Sequence, residues 1–457
     1  MNDVIRSADV AVLGAGPAGL AAAWRAAAAG HEVVVLERAD RIGGMAASFD
    51  VAGVRVDHGS HRLHRSIRPD ILAELQRLLG SELQWRPRRG RIRLEDRWLS
   101  FPLRPAELAR RLPRSFVAGA ARDAALAPLR RPRADTFAEE VRARVGPTLG
   151  ERFYFPYARK LWGAEPEELS GEHARRRIGA SSPWSLAARA LRRSGPGAGF
   201  WYPAGGFGRI VDVLAGAAVE AGADIRLGAT VEEVAAGEGG PSTVIAGGRT
   251  IEVAHVWSTL AMPVLSRLTG GPALDGIEHR AMLLVYLALD RRRWTAFDAH
   301  YLPGSDTALS RVSEPRNYRD GPDPDDRTVL CAEIPRAAGD ELWARDAGAL
   351  GRMVADDLAA LGLPPCDPIA VEVRRLPAAY PVYRPGFERT LAAAEEWVGS
   401  LPGVITLGRH GLHAHDNTHH ALAMGWEAAA ALRADGSFDG AQWARSRQGF
   451  RAHVVED

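Results

Sequence analysis

Short apolar runs alternate with Ala-rich stretches of helical spacing at the start, in the middle and at the end of the chain. Asp9–Leu13 and Glu32–Leu36 read as buried strands, and between them Pro17–Ala29 reads as a helix stopped at Gly30. The chain therefore opens with a βαβ unit. From about Asp70 to Leu191 the pattern predicts mainly helix, interrupted at Pro102, Pro113, Pro128 and Pro156. A second α/β unit follows: Gly205–Gly206 leads into a predicted helix from Gly208 to Ala221, capped by Gly222, with strands at Asp224–Leu227 and Thr230–Val234. Thr243–Ala246 and Thr250–Val253 form a predicted hairpin through Gly247–Gly248, and His255–Thr259 is a further strand. Met282–Leu289 reads as a buried strand that opens a mixed region extending to about Ala394. The end returns to α/β, with a strand at Val404–Leu407, a polar loop and a helix from about His419 to Arg433.

Composition narrows the class. A length of 457 residues gives room for two or three units, and 46% apolar with 25% charged residues excludes disorder and fibrous repeats. The longest uninterrupted apolar stretch, Ala281 to Leu289, is far short of the ~20 residues of a membrane span, so no integral membrane segment is expected. Two cysteines without metal-type spacing, and no signal-peptide pattern at the N-terminus, predict a cytoplasmic protein. The 58 basic against 56 acidic residues exclude a dedicated nucleic-acid binder. Charge is uneven, however: between Arg86 and Arg133 fourteen arginines face only Glu95, Asp96, Glu107 and Asp123, a local +10. Such a segment suits a solvated helical face, a funnel for an anionic substrate, or a contact with a membrane surface. Every basic residue but one is arginine; the exception is Lys160.

The first turn carries the first candidate chemistry. Gly14-Ala-Gly16-Pro-Ala-Gly19 lies between a predicted strand and a predicted helix, the context that a dinucleotide fingerprint requires. Gly14 allows the tight turn, Gly16 lets the backbone approach a pyrophosphate at the helix N-terminus, and Gly19 permits close packing of helix on strand. Glu37 ends the second strand, where a carboxylate can accept hydrogen bonds from ribose hydroxyls. Arg38 follows, and then a second glycine pair, Gly43-Gly44. This run resembles the extended fingerprint of FAD-binding oxidoreductases of the glutathione-reductase-like superfamily. By the same resemblance Gly205-Gly206-Phe207-Gly208 and Val231 match the middle FAD segment, with the backbone around Val231 meeting the adenine. Gly403 to Gly408 and Arg409 match the final strand that runs up to the flavin.

Further blocks narrow the resemblance. Asp57-His58-Gly59-Ser60-His61, Arg91-Ile92, Phe101-Pro102-Leu103, Pro156-Tyr157-Ala-Arg-Lys160-Leu-Trp162-Gly163 and Arg177-Ile178 are similar to the protoporphyrinogen-oxidase-like branch of the flavin amine oxidase superfamily, and within it to members related to UDP-galactopyranose mutase. The resemblance implies bound FAD and a substrate cavity bordered by Tyr157, Trp162, Arg177, Tyr380 and Arg384. Two positions depart from the mutase pattern: Ser181 stands where a mobile-loop arginine clamps the nucleotide diphosphate, and His415 where a tyrosine holds it. Losing a bidentate arginine weakens diphosphate binding.

Eight of the fourteen histidines fall in two stretches, His58, His61 and His64, then His410, His413, His415, His419 and His420. In the resembling family both stretches approach the flavin ring. There a histidine, His61 or His415 first, is placed to take a proton while hydride leaves for the flavin N5; the alternative is that these histidines are hydrogen-bonded linkers. Their spacing has no zinc-type motif, and no metal is expected. Asn417 and Thr418, after Asp416, suit an N-cap that aims the last predicted helix at the N1/O2 edge of the flavin. Lys160 suggests a compact ammonium at the substrate cavity, or else a salt bridge to Glu165, Glu167 or Glu168.

The expected fold is thus α/β. A Rossmann-like FAD-binding domain comes from three separated segments, about 1–75, 203–265 and 395–436, and a mixed α+β substrate domain from the insertions 76–202 and 266–394. A C-terminal tail, 437–457, follows. The expected function is FAD-dependent oxidation of a small metabolite by hydride transfer, with O2 or another acceptor taking the electrons. The alternative is redox-neutral chemistry on a nucleotide sugar with reduced FAD.

Overall fold

The computed structural model describes residues 4–101, 103–130, 135–178, 199–237 and 240–455. Its first sheet has the strand Val4–Leu13 at the centre, parallel to Val33–Leu36 on one side and to Arg249–Ser258 on the other. Asp224–Arg226 continues the sheet beyond Val33–Leu36; Ser242–Ala246 and Val231–Ala235 extend the far edge antiparallel, and Val404–Thr406 pairs with the end of Arg249–Ser258. Strands of this one sheet come from the start, middle and end of the chain, the three-segment Rossmann-like domain expected. The central strands are buried on both faces, which is why they read as continuous apolar runs.

One face of this sheet is covered by the helix Pro17–Ala28, whose small side chains let neighbours come close. A Cβ on Gly425 of the helix Thr418–Ala430 would lie 2.5 Å from the carbonyl oxygen of Ala18, so this pair of helices packs at backbone contact. A third helix, Arg209–Glu220, completes the layer.

The second sheet is built mostly from the insertions, in the order Pro368–Val382, Glu278–Leu289, Thr328–Arg336, Arg311–Ser313, Ala299–Tyr301, Gly90–Leu94 and Arg97–Phe101. Within Glu278–Leu289 the side chains of Leu283, Val285 and Leu287 share a core with Leu350, Val354 and Leu358 of the helix Ala347–Ala360. The alternate side chains, Met282, Leu284 and Tyr286, pack on Phe49, Val54 and Val56 of a hairpin in the first domain. Asp57 at the end of that hairpin is buried and ties the cofactor segments together: it accepts hydrogen bonds from Ser48 Oγ at 2.6 Å, Tyr202 OH at 2.5 Å and the Phe207 amide at 3.0 Å. Burial nevertheless pushes its carboxyl above the usual range.

Three expectations are corrected. The region after Asp70 begins with the expected helix, Pro69–Leu79, but then turns to strand: Leu83–Pro87, Gly90–Leu94 and Arg97–Phe101. Ile92, Leu94 and Leu99 point into the core while the intervening arginines point out, a period of two. The turn between the last two strands, Glu95–Asp96, has positive φ at both residues, the signature of a two-residue hairpin. The two strands expected on either side of Ala254 are a single strand, Arg249–Ser258. Residues 437–457 are more than a tail, since the helix Gly440–Phe450 buries Trp443 and Phe450 in the core of the first domain. Ser181 and Pro102 lie outside the described residues.

Candidate functional site: a flavin cradle and an arginine-lined cleft

At the tip of the central strand, the first turn is shaped by what cannot fit. A Cβ on Gly19 would stand 2.1 Å from the Gly14 carbonyl oxygen, and Gly14, at φ +101°, would drive one against Thr259 Oγ1. Gly16 is the opposite case. A Cβ there would meet nothing within 4 Å, so the space at the N-terminus of Pro17–Ala28 is open where a pyrophosphate would lie. The second glycine pair docks under this turn, with the Gly43 amide donating to the Ala15 carbonyl at 2.8 Å and Gly44 close to Gly16. Glu37 accepts from the amides of Ala15 and Ala39, both at 2.9 Å, which leaves each oxygen a second lone pair for a ribose hydroxyl. Arg38 beside it is exposed, and Val231 stands half-buried at the sheet edge. Gly408, at φ +80°, brings the end of the last strand against Ala18. Gly14, Gly16, Gly19, Glu37, Gly43, Gly44 and Gly408 thus come together around one open turn at the tip of the sheet.

Beside the cradle lies a cleft that is partly open to solvent. His61, Tyr157, Arg177 and Tyr380, expected at the substrate cavity, line it, together with Arg409, Asn417 and Thr418, which the sequence placed against the flavin. The helix Thr418–Ala430 begins there, its cap formed by Asn417 and His420 in a reciprocal capping box. Arg409 is fixed by donating from Nε at 2.9 Å, and from a terminal nitrogen, to the Asp416 carbonyl.

Sequence reasoning missed much of the rest of this wall. Arg62, Arg88, Arg311, Glu333 and Phe200 line the cleft too. Arg311 and Glu333 form a two-pronged buried ion pair at 3.0 and 2.8 Å. Arg62 donates to Tyr301 OH at 2.8 Å and to Asp298 at 3.2 Å while lying over the rings of Phe200 and Tyr318. Val455, close to the C-terminus, also lines the cleft, held by its amide on the Arg176 carbonyl at 3.0 Å. Among the described residues, five arginines and one carboxylate line the cleft; the carboxylate is committed to Arg311, and Arg62 is paired with Asp298.

His61 stacks on Phe207 with ring centroids 5.1 Å apart, and its Nδ1 is buried without a hydrogen-bond partner. Burial, helped by the Arg409 charge, brings its pKa down to about 3. The ring is therefore neutral at working pH, suited to accepting a hydrogen bond and only weakly basic. His58 and His64 are linkers, the first bonded to the Ala47 carbonyl at 3.0 Å and the second to Ser66 Oγ at 2.7 Å.

Four predicted site residues do not line the cleft. His415 is buried behind Tyr380, stacked on that ring and packed against His173 at 4.8 Å, and desolvation holds it well below the usual histidine range. Trp162 is buried in the same aromatic layer, with Arg177 over its ring at 5.0 Å. Arg384 points away toward Glu278 and Glu168. Lys160 makes neither of the expected contacts: its Nζ donates to the carbonyls of Leu302 at 2.6 Å and Leu309 at 2.8 Å, while Glu165 pairs with Arg159. Lys160 and Trp162 share a helix and Arg384 and His415 lie in connecting segments, so spacing alone does not show which side of each meets the cavity. Asp416, His420 and His453 offer three donor atoms within 4.8 Å of one another, a grouping that their sequence separation conceals. Hydrogen bonds account for it, since His453 Nδ1 meets Asp416 at 3.0 Å and His420 Nδ1 accepts the Asn417 amide at 3.2 Å.

The flavin-containing amine oxidoreductase family matches residues 17–433, and the chain belongs to that family. FAD is accordingly the cofactor for which the cradle is built. Over 72 residues, 15% of this chain and 17% of the relative, it is 43% identical to the (S)-6-hydroxynicotine oxidase of Paenarthrobacter nicotinovorans. The curated relatives that it matches are covered over 11% to 24% of their length. The fold is similar to that of reduced UDP-galactopyranose mutase, with a TM-score of 0.77 at 19% identity over 92% of this chain and 93% of that one. It is also similar to a protoporphyrinogen-oxidase-like protein of Exiguobacterium sp., at 0.71 and 20% identity over 93% and 98%. No helix among the described residues is long and apolar enough to cross a membrane.

Proposed function

We propose that the protein is an FAD-dependent oxidoreductase whose substrate is a small anionic metabolite, a carboxylate or a phosphate ester. The observation that carries this reading is the cleft wall, where among the described residues Arg62, Arg88, Arg177, Arg311 and Arg409 stand with a single carboxylate, Glu333. A cavity of one sign of charge raises the local concentration of the opposite one, and arginine forks match carboxylate and phosphate geometry. A bare amine, the substrate class suggested by the family name, would enter against the charges of Arg88, Arg177 and Arg409, beyond Arg62 and Arg311, which are paired with Asp298 and Glu333. Bound FAD supplies an acceptor for hydride, and O2 or another acceptor reoxidises it. Tyr380 and Tyr157 would form walls for the substrate, the arginines would orient its anionic end, and neutral His61 would accept a hydrogen bond from the group being oxidised.

A second reading, redox-neutral isomerisation of a nucleotide sugar, is favoured by the same arginines, which also suit a diphosphate. His415 speaks against it, because the position of a diphosphate-holding tyrosine is taken by a ring buried behind Tyr380. Anaerobic stopped-flow spectroscopy separates the readings. The oxidised flavin is expected to bleach with members of a panel of carboxylated and phosphorylated metabolites and to stay yellow with simple amines. Bleaching by amines alone, or turnover of UDP-galactose by the dithionite-reduced protein with no bleaching by any anion, would defeat the proposal.

A further inference from the structure

The basic segment has a second use that the cleft leaves open. Two helices, Pro105–Arg111 and Arg114–Ala125, and a short turn, Ala127–Leu129, form an arm on the outer side of the second sheet. Their inner face is accounted for: Leu112 and Phe116 pack with Ile92, Leu94 and Leu99 of the neighbouring hairpin. Their outer face has no such partner among the described residues. Arg104, Arg110, Arg111, Arg114 and Arg122 are exposed on it, and Ala118, Ala121 and Ala125 lie between them. Leu126 is 46% exposed and Leu129 80%, the highest value among the exposed large apolar residues. The two acids of the arm offset only part of this charge, Asp123 pairing with Arg122 at 3.4 Å and Glu107 with Arg111. Glu107 is half-buried, accepts the Ser100 amide at 3.1 Å and reaches Arg111 only at 3.6 Å; Asp123 is buried on the Thr148 amide. Arg104, Arg110 and Arg114 have no ion-pair partner among the described residues.

We propose that this arm docks the protein on an anionic lipid bilayer. Arginines draw the face to the negatively charged headgroups, and their aliphatic stems lie along the alanine surface while the guanidinium groups stay in the headgroup layer. Leu126 and Leu129, at the end of the arm, enter the acyl boundary, as in helices that lie on a membrane rather than cross it. Charge complementarity selects this occupant. Two copies of the face would repel each other, and a nucleic acid would leave both leucines without an apolar partner.

Flotation of the full-length holoprotein with vesicles tests it, using phosphatidylcholine alone and phosphatidylcholine mixed with phosphatidylglycerol. Binding is expected only to the mixed vesicles and is lost at high salt. R110E/R114E should weaken it on the order of tenfold or more, and L126S/L129S should weaken it severalfold, each with unchanged FAD content and melting temperature. Absence of binding to mixed vesicles overturns the proposal, as does binding that either double variant leaves intact. Retention on RNA or heparin together with full vesicle binding by L126S/L129S would assign the face to polyanions instead.

Discussion

The cradle and the cleft adjoin at Arg409 and Gly408, yet they are made of different material. In the cradle the contacts are backbone: a helix N-terminus, the amides around Gly43, and turns in which a side chain has no room or would fill the only open space. In the cleft the contacts are charged and aromatic side chains drawn from at least six separate stretches, and burial rather than backbone geometry sets their properties. The first region should be intolerant of added volume and indifferent to charge. The second should tolerate volume better and respond to proton concentration.

The largest effect expected is at Gly16. The Cβ of a valine there would meet no protein atom within 4 Å and would project into the open space at the helix N-terminus, so Gly16→Val should purify with the native fold but without the yellow of bound FAD. Gly19→Val differs in kind, because its Cβ would collide with the Gly14 carbonyl and fold stability itself should fall. Flavin content by absorbance, measured beside thermal melting, separates the two. A wild-type flavin content in Gly16→Val would remove the basis of the cradle.

Next in size is the acid response of the histidines on the cleft side and in the second sheet. Burial lowers His61, His300 and His413 to about 3 and His410 to about 4. In the unfolded chain these rings bind protons near 6.5, so between that value and the folded pKa the unfolded state holds more protons. Stability is therefore full above pH 6.5 and falls as the pH drops below it. Each ring should cost about 1 kcal/mol between pH 6.5 and 5.5, up to about 4 kcal/mol for the four. Urea titrations at the two pH values measure it; equal stability at both would mean that these rings are hydrated in solution and the cleft wall is looser than described.

This contrast also explains what could be read from the sequence. The glycines, Glu37 and the strands beside them were legible because each is a local constraint: one turn, one helix start, one doubly buried strand such as Glu278–Leu289. Leu83–Pro87, Gly90–Leu94 and Arg97–Phe101 were missed although Ile92, Leu94 and Leu99 alternate with polar residues, because the surrounding prolines and arginines resemble helix punctuation. Arg62, Arg311 and Val455 were illegible for a different reason. A chain with 58 basic residues, nearly all arginine, gives no local sign of which ones a sheet will turn inward, and Val455 acquires a role only when the last helix folds back. The pair Arg311–Glu333, 22 residues apart on antiparallel strands, is a product of register rather than of motif.

The smallest effect expected is at Lys160, and it decides on which side of the comparison that residue belongs. Its ammonium bridges the carbonyls of Leu302 and Leu309, at the two ends of the loop that precedes Ser310 and Arg311 in the cleft wall. Burial brings its pKa down to about 8, so at neutral pH most of the population keeps the proton needed to donate both bonds. On the proposed function this geometry would make it a positioning residue, acting on the cleft through the loop. Lys160→Met removes two charge-assisted hydrogen bonds, leaves their carbonyls unpaired and should cost about 2–3 kcal/mol of stability. Lys160→Arg keeps the charge but not the compact head and should cost about 1 kcal/mol. In both variants the rate of flavin bleaching at saturating substrate should stay near wild type, while KM rises as Arg311 loses its fixed position. Melting temperature and stopped-flow rates together give the answer: a large fall in the bleaching rate with an unchanged melting temperature would place the ammonium at the reacting atoms.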